Sequence, residues 1–260
     1  MDKSKLHDYF ETNRELWDGL TSIHEKSRFY DVDGFKKGKS SLNIIELEEM
    51  GDVAGKTLLH LQCHFGLDTL SWARLGARVT GVDFSSKAIA LASSLKEELN
   101  IPADFISCNV YNLKNELQRT FDIVFTSYGV LGWLPDLCAW AETIHYFLEQ
   151  AGIFYIVEFH PLLGMFDDNG AFKHPYLRGT QPLKDEWRAS YAEPKVDFTH
   201  PCYEWYHSLS DVINAIIGAG LKIEFVHEFP FSVYGDRPFF VKGADGLWRH
   251  RDKNIKIPLM

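Results

Sequence analysis

Residues 57–66, Thr-Leu-Leu-His-Leu-Gln-Cys-His-Phe-Gly, begin the part of the chain that decides the fold. The first five residues form a short apolar run, which predicts a buried strand, and a turn containing Gly66 follows. Residues 68–75 have a helix-like pattern that Gly76 interrupts, and residues 78–83, Arg-Val-Thr-Gly-Val-Asp, predict a second strand. Strands that alternate with helices in this way, each a nearly continuous apolar run, predict a parallel sheet covered on both faces.

The same alternation continues through most of the chain. Ser85 and Ser86 are suitable N-caps for the next helix, and Gly152 is suited to end a later one. Helices are predicted over 87–99, 137–150 and 209–219. Further strands are predicted over 103–108, 121–126, 153–157, 221–226 and 255–259. We therefore predict an α/β fold with a doubly wound, mostly parallel, seven-stranded sheet and helices on both faces.

Two segments depart from this alternation. Residues 1–51 are polar with helical spacing in 6–20 and 42–50, which predicts an N-terminal helical cap. Residues 161–207 are rich in glycine, proline and aromatic residues, which predicts an inserted aromatic lid. We expect a single domain, 1–260, in which residues 52–160 and 208–260 form the ligand-binding core.

The aromatic residues of the insertion and the cap allow two interpretations. They could close a cage over a small organic substrate, or they could form a secondary core under a long loop. The residues concerned are Trp17, Phe29, Tyr30, Phe166, Phe172, Tyr176, Trp187, Tyr191, Phe198, Tyr203, Trp205 and Tyr206.

Composition narrows the functional class. The 260 residues carry a formal net charge of −9, which argues against bulk nucleic acid as the main partner. The four cysteines are scattered, the N-terminus has no apolar run, and no stretch approaches the ~20 apolar residues of a membrane helix. We therefore expect a cytoplasmic protein with no membrane contact. His60 and His64 flank a turn and lack metal-ligand spacing, so no metal site is predicted.

The predicted topology places a ligand site beyond the carboxyl ends of the strands, at the point where the strand order switches. The turn 62–66 can present backbone N–H groups at the start of the following helix. Asp83, at the end of the second strand, is placed to accept hydrogen bonds from both hydroxyls of a ribose. These two features together favour an adenosine-containing cofactor.

The segments 58–66, 79–85 and 121–124, with Leu148 and Gly152, resemble the ordered motifs of the class I methyltransferases. The resemblance covers roughly 52–160 and continues from 208. It implies S-adenosylmethionine as cofactor, S-adenosylhomocysteine as product, and a set of cofactor-binding residues. That set is Gln62, Cys63, His64, Gly66, Asp83, Phe84, Ser85, Asn109, Val110, Thr126 and Ser127.

The sequence departs from the family at four positions. His60 and Asn109 stand where relatives usually have acids, and Gln62 and His64 stand where relatives have glycines. We expect Gln62 and His64 to contact the methionine carboxylate through their side chains. A dinucleotide is disfavoured because G-x-G-x-x-G is absent and His64-Phe65 would crowd a pyrophosphate, which S-adenosylmethionine lacks.

The methyl acceptor is predicted more coarsely. Residues 126–129, Thr-Ser-Tyr-Gly, contain neither the Asn/Asp-Pro-Pro-aromatic sequence of adenine amino methylation nor the cysteine of cytosine-ring methylation. We predict transfer to an O, N or S atom of a small organic molecule, with Tyr128 beside the methyl group and His160 or His207 as base. The alternatives are structural histidines, a protein or tRNA methyltransferase, or a non-catalytic S-adenosylmethionine-binding module.

Overall fold

The computed structural model describes residues 3–167, 169–177, 179, 181–235 and 237–260. Residues 168, 178 and 180 of the predicted insertion lie outside the described residues. The chain divides into two compact units, which we treat separately. The sheet unit contains Met1–Thr126, Thr143–Ile156 and Leu183–Glu204. The second unit contains Ser127–Glu142, Val157–Pro182 and Trp205–Met260.

A five-stranded sheet with the order β3-β2-β1-β4-β5 forms the framework. Strand β1 is parallel to both β2 and β4, and β2 is parallel to β3. The chain order therefore switches between β1 and β4, as predicted for a doubly wound sheet. The strands are β1 (Thr57–Leu61), β2 (Arg78–Asp83), β3 (Ala103–Ser107), β4 (Phe121–Ser127) and β5 (Leu148–Val157).

Helices connect these strands. They are α4 (Leu67–Arg74), α5 (Ser86–Glu98), the short α6 (Leu113–Glu116) and α7 (Leu137–Phe147). The apolar run of β1 is buried because helices cover the sheet, and Leu58, Leu59 and Leu61 have no exposed surface. Ser85 caps α5 as predicted, since its Oγ accepts a hydrogen bond from Ala88 N.

The boundary between α7 and β5 differs from the prediction. The helix ends at Phe147 and the strand begins at Leu148, so Gly152 lies inside the strand. A Cβ at Gly152 would lie 3.0 Å from the carbonyl oxygens of Phe121 and Asp122. The glycine therefore permits a close approach of two backbones, and the prediction that it stops a helix is wrong.

The N-terminal segment is helical, as its spacing predicts. It forms α1 (Lys3–Lys26), α2 (Val32–Lys36) and α3 (Ile44–Met50). Part of the predicted insertion joins it in the sheet unit as an antiparallel hairpin, β6 (Leu183–Arg188) and β7 (Thr199–Glu204). Asn13 links the two, because its side chain donates to Tyr203 O at 2.8 Å and accepts from Tyr203 N at 2.9 Å.

The second unit contains α8 (Leu209–Gly218), whose N-terminus has a capping box formed by Ser208 and Asp211. It also contains a short antiparallel pair, β8 (Phe240–Lys242) and β9 (Trp248–His250). None of the described helices is both long and apolar enough to span a membrane.

The two terminal strands predicted over 221–226 and 255–259 do not form. Both segments lack regular secondary structure, so the sheet has five strands in the described part of the chain and not seven. Phe225 and Val226 are about half exposed, which shows that this apolar run has no strand packed along it. The backbone of Phe229 instead bonds to Leu259 and Met260, at 2.8 and 2.9 Å.

Candidate functional site

The turn after β1 has an unusual backbone. Gln62 and His64 have φ of 55° and 51°, and Gly66 has φ of 76°. The left-handed conformation costs a residue other than glycine roughly 1–2 kcal/mol. Gln62 and His64 thus have a conformation that glycine adopts easily, and they stand where the class I methyltransferases have glycines. Strained residues of this kind cluster at ligand sites, which supports the predicted location.

Asp83 joins this turn to the end of β2. Its Oδ2 accepts a hydrogen bond from His64 N at 2.8 Å, and its Oδ1 accepts one from Ser85 N at 2.9 Å. Asp83 is 8% exposed. Burial is the largest influence on the carboxyl group and raises its pKa to about 6. At neutral pH the carboxylate is charged, and each oxygen retains a lone pair for a further donor.

An acid in α1 also accepts hydrogen bonds at the start of α5, and it was not predicted from the sequence. Asp18 Oδ1 accepts hydrogen bonds from Ser85 Oγ at 2.6 Å and from Lys87 N at 3.2 Å. Its Oδ2 lies 2.7 Å from Arg14 Nη1. The available signal was an acid on the side of α1 that also carries Thr21, three residues further on and likewise buried. Asp18 anchors the N-terminal helix to the start of α5.

Two predicted contact residues near this turn serve packing. Cys63 is buried, and its N–H donates to Val82 O at 2.9 Å. A Cβ at Gly66 would lie 2.6 Å from a ring carbon of Phe105. Gly66 is therefore required for close contact between helix and sheet.

The remaining predicted cofactor residues lie at strand ends. Asn109 caps a 3-10 turn by accepting from Tyr111 N at 3.1 Å, and the neighbouring Cys108 N donates to Asp83 O at 2.9 Å. Thr126 Oγ1 donates to Leu61 O at 3.1 Å. The structure thus brings the ends of β1 to β4 to one edge of the sheet. Buried Val110 and Ser127 and half-buried Phe84 adjoin these residues in sequence.

Two histidines and a serine form a hydrogen-bonded chain in the sheet unit. His64 Nε2 lies 2.9 Å from His24 Nδ1, and His24 Nε2 lies 2.9 Å from Ser190 Oγ. Burial lowers the pKa of His24 to about 3 and that of His64 well below its usual value, so both rings are neutral. The His64 Nδ1 atom is buried and has no hydrogen-bond partner in the described part of the chain.

His60 lies in the core of the sheet unit. It is 2% exposed, and its Nδ1 lies 2.8 Å from Thr69 Oγ1. Burial lowers its pKa to about 3. His60 is therefore a neutral core residue that joins β1 to α4.

Part of the predicted aromatic cage assembles around the histidine chain. The Tyr30 ring stacks on His24 at 4.9 Å, and the Trp17 ring meets His64 edge-on at 5.2 Å. The Tyr30 and Tyr191 hydroxyls share a hydrogen bond. Other rings of the predicted cage pack elsewhere: Tyr203 packs on Tyr9, and in the second unit Phe166 packs on Phe172 and Phe239.

The predicted catalytic residues all lie in the second unit. Tyr128 has φ of 47°, and its ring lies 6.1 Å from Phe159 and 5.2 Å from Tyr234. His160 Nδ1 accepts from Leu162 N at 3.2 Å, and its Nε2 lies 2.9 Å from Glu228 Oε1. His207 Nε2 lies 2.7 Å from the carbonyl oxygen of Leu134. Burial is the main influence on both histidines and lowers their pKa values.

Residues 58–152 match the family described as the methyltransferase domain. The predicted resemblance to class I methyltransferases is confirmed. The matched domain contains β1 to β4, Asp83 and the histidine of the first turn. Among the described residues, no group of three or more His, Cys, Asp or Glu side chains is arranged to hold a metal.

Curated relatives also match part of this chain. The chain is 30% identical over 133 residues to a ubiquinone biosynthesis O-methyltransferase of Xanthomonas oryzae pv. oryzae, covering 50% of this chain and 55% of the relative. It is 32% identical over 114 residues to the enzyme of that name from Proteus mirabilis, covering 42% and 46%. The chain spans about half the length of the curated relatives it matches.

Solved structures show the same fold. The DhpI chain, solved as a complex with SAH, superposes with a TM-score of 0.54 at 16% identity, covering 82% of this chain and 88% of that chain. A putative S-adenosylmethionine-dependent methyltransferase from Listeria monocytogenes superposes with a TM-score of 0.52 at 18% identity, covering 71% and 86%. These likenesses establish a Rossmann-like methyltransferase fold.

A second strand-end carboxylate was not predicted. The Glu158 carboxylate accepts hydrogen bonds from the backbone N–H groups of four residues, Gly129, Val130, Leu131 and Phe159. Burial is the largest influence on this carboxyl group and raises its pKa. The only sequence signal was a lone acid directly after the apolar run of β5. Glu158 fixes the turn that carries Tyr128.

Proposed function

We propose that this protein is an S-adenosylmethionine-dependent methyltransferase that acts on a small organic molecule and releases S-adenosylhomocysteine. The main support is Asp83, a buried carboxylate held at the carboxyl end of β2 by backbone N–H groups on both sides. It lies beside the switch point of a doubly wound sheet, within the matched methyltransferase domain.

The residues present fit this cofactor. Asp83 has lone pairs available for ribose hydroxyls, and Asn109 can offer an amide oxygen to the adenine amino group. The buried Nδ1 of His64 offers one more polar contact. The bound cofactor supplies an electrophilic methyl group on a positively charged sulfur. Aromatic rings beside the first turn, such as Trp17 and Tyr30, are suited to a positive charge.

We further propose that the acceptor atom is a hydroxyl oxygen. The curated relatives are named as O-methyltransferases, and the second unit holds a cluster of three aromatic rings, Tyr128, Phe159 and Tyr234, which is suited to stacking on a planar acceptor. Tyr128, His160 and His207 remain the candidates for positioning the acceptor and removing its proton. Of these, His160 would have to exchange its contact with Glu228 or Leu162 N for one with the acceptor.

We also propose which segments of the chain form the core, the cap and the lid. Residues 52–160 and 208–260 are assigned to the core, 1–51 to a helical cap, and 161–207 to an aromatic lid. The hairpin of β6 and β7 supports this assignment, because it carries Trp187 and leads into Tyr191, which packs against the rings beside the first turn.

The test is transfer of a labelled methyl group from S-adenosylmethionine to a panel of phenols, amines and thiols, with tRNA and a protein extract in parallel. We expect label in the phenol fraction. Label only in tRNA or protein would favour the macromolecular alternative. Binding of S-adenosylmethionine without transfer to any acceptor would favour a non-catalytic binding module.

A further inference from the structure

The chain formed by Ser190, His24 and His64 determines which nitrogen of each ring carries a proton. Ser190 is buried, and its Oγ accepts a hydrogen bond from Ala192 N at 3.1 Å. Within the described part of the chain, its other side-chain contact is His24 Nε2. A buried hydroxyl proton needs an acceptor, so Ser190 donates to His24 Nε2.

The protonation of both histidine rings follows from this donation. A neutral imidazole has one N–H, so His24, which accepts at Nε2, carries its proton on Nδ1. That proton points to His64 Nε2, 2.9 Å away. His64 therefore accepts at Nε2 and carries its own proton on Nδ1. The outcome is a buried N–H donor in the first turn that has no partner among the residues the structure describes.

A buried donor without a partner is costly, and its position suggests what satisfies it. His64 lies in the turn after β1, where this fold binds its ligand, and its backbone N–H contacts Asp83. If Asp83 binds the ribose, the polar groups left at the other end of the cofactor are a carboxylate and an ammonium. A donor suits the carboxylate and repels the ammonium.

We propose that His64 Nδ1–H binds the carboxylate of the cofactor's methionine moiety, and that His24 and Ser190 are positioning residues that fix the required tautomer. This inference rests on the proposed function. It gives the N-terminal helix and the hairpin, which supply His24 and Ser190, a role in cofactor binding. The low pKa values of both histidines are consistent with it, because a charged ring would add a proton and break the chain.

The first experiment compares two ligands by calorimetry: S-adenosylhomocysteine, and 5′-methylthioadenosine, which has the same nucleoside but no carboxylate. For His64→Gly, which also suits the left-handed backbone, we expect roughly 10- to 100-fold weaker binding of S-adenosylhomocysteine and little change for 5′-methylthioadenosine. His64→Asn, which keeps an N–H donor near the position of Nδ1, should restore part of the loss. An equal loss for both ligands would overturn the proposal.

The second experiment reads the tautomers directly, by two-bond 15N–1H correlation spectra of the histidine rings in the unliganded protein. We expect a proton on Nδ1 of both His24 and His64, and loss of this preference in Ser190→Ala, which removes a single hydroxyl. A proton on Nε2 of His64 would overturn the proposal. If the wild-type protein bound neither ligand, the proposed function would fail, while the spectra would still decide whether the chain sets the tautomer.

Discussion

The turns after β1 and β4 have the same construction but differ in what their carboxylates can do. Each turn holds a residue other than glycine with positive φ, His64 in the first and Tyr128 in the other. Each is fixed by an acid at the end of a strand, the buried Asp83 in the first and the half-buried Glu158 in the other. Asp83 accepts two backbone hydrogen bonds, whereas Glu158 accepts four. A carboxylate has about four acceptor positions, so Asp83 can still bind a ligand and Glu158 is saturated.

The largest expected effect comes from removing the saturated carboxylate. Glu158→Ala leaves several backbone N–H groups without an acceptor, and we expect the free energy of unfolding to fall by about 2–4 kcal/mol. Urea unfolding measures this loss. Glu158→Gln keeps one acceptor oxygen, which serves two of the four N–H groups, and should lose less than Glu158→Ala does. A loss below about 0.5 kcal/mol for Glu158→Ala would contradict a structural role.

The matching change at the other acid should affect binding more than stability. Asp83→Asn removes the charge that the ribose hydroxyls would contact, and we expect S-adenosylhomocysteine to bind about 10- to 100-fold more weakly by calorimetry. Glu158→Gln is the matched control and should change this affinity by less than about threefold. Equal losses in the two variants would show that the two carboxylates do not differ as proposed.

The pH dependence of binding sharpens the comparison. Because the pKa of Asp83 is about 6, its carboxylate becomes protonated between pH 7 and pH 5 and loses its charge. We expect the affinity for S-adenosylhomocysteine to fall up to about tenfold over this range. In Asp83→Asn the affinity should be independent of pH, since His24 stays neutral down to a pKa of about 3. A flat profile in the wild-type protein would contradict the raised pKa.

The raised pKa of Asp83 affects folding and binding in opposite directions: acid weakens binding of the cofactor but favours the folded state. A raised pKa in the folded state means that protonated Asp83 favours folding, an effect present below pH 3.8 and lost as pH rises through about 6. His60 acts in the other direction. Its lowered pKa stabilises the fold above pH 6.5, and this contribution is lost as pH falls toward about 3.

The smallest effect tests the left-handed backbone of the first turn. Gln62→Gly should raise the free energy of unfolding by about 1 kcal/mol, because glycine adopts a φ of 55° without a steric penalty. Gln62→Ala keeps the penalty and should give no gain. Thermal or urea unfolding of both variants measures the difference. Destabilisation by Gln62→Gly would show that side-chain contacts outweigh the backbone strain.

The sequence was most informative where local pattern determines structure. The apolar runs of β1 to β4 were located to within one residue, and Asp83 and the Ser85 cap were identified from their positions beside those runs. Burial of both sheet faces makes these runs distinctive. The end of α7 was misplaced because Gly152 meets a neighbouring strand, a contact that local pattern does not reveal.

Long-range contacts were beyond the reach of the sequence. His24 and Ser190 are 166 residues apart, and Asp18 and Ser85 are 67 apart, yet both pairs determine the site's geometry. The role of Glu158 also depends on the backbone of a distant turn. The segment 221–226 has the composition of a strand but forms none in the described part of the chain, so composition alone overpredicted the sheet.

The central claim is that the edge formed by β1 and β2 binds S-adenosylmethionine. Its most direct test is a calorimetric titration of the wild-type protein with S-adenosylhomocysteine, and with NADH in a parallel experiment. We predict saturable binding of one molecule of S-adenosylhomocysteine per chain and no binding of NADH, whose pyrophosphate the side chains of His64 and Phe65 would crowd. Absence of heat with S-adenosylhomocysteine at about 1 mM, or tighter binding of NADH, would contradict the account.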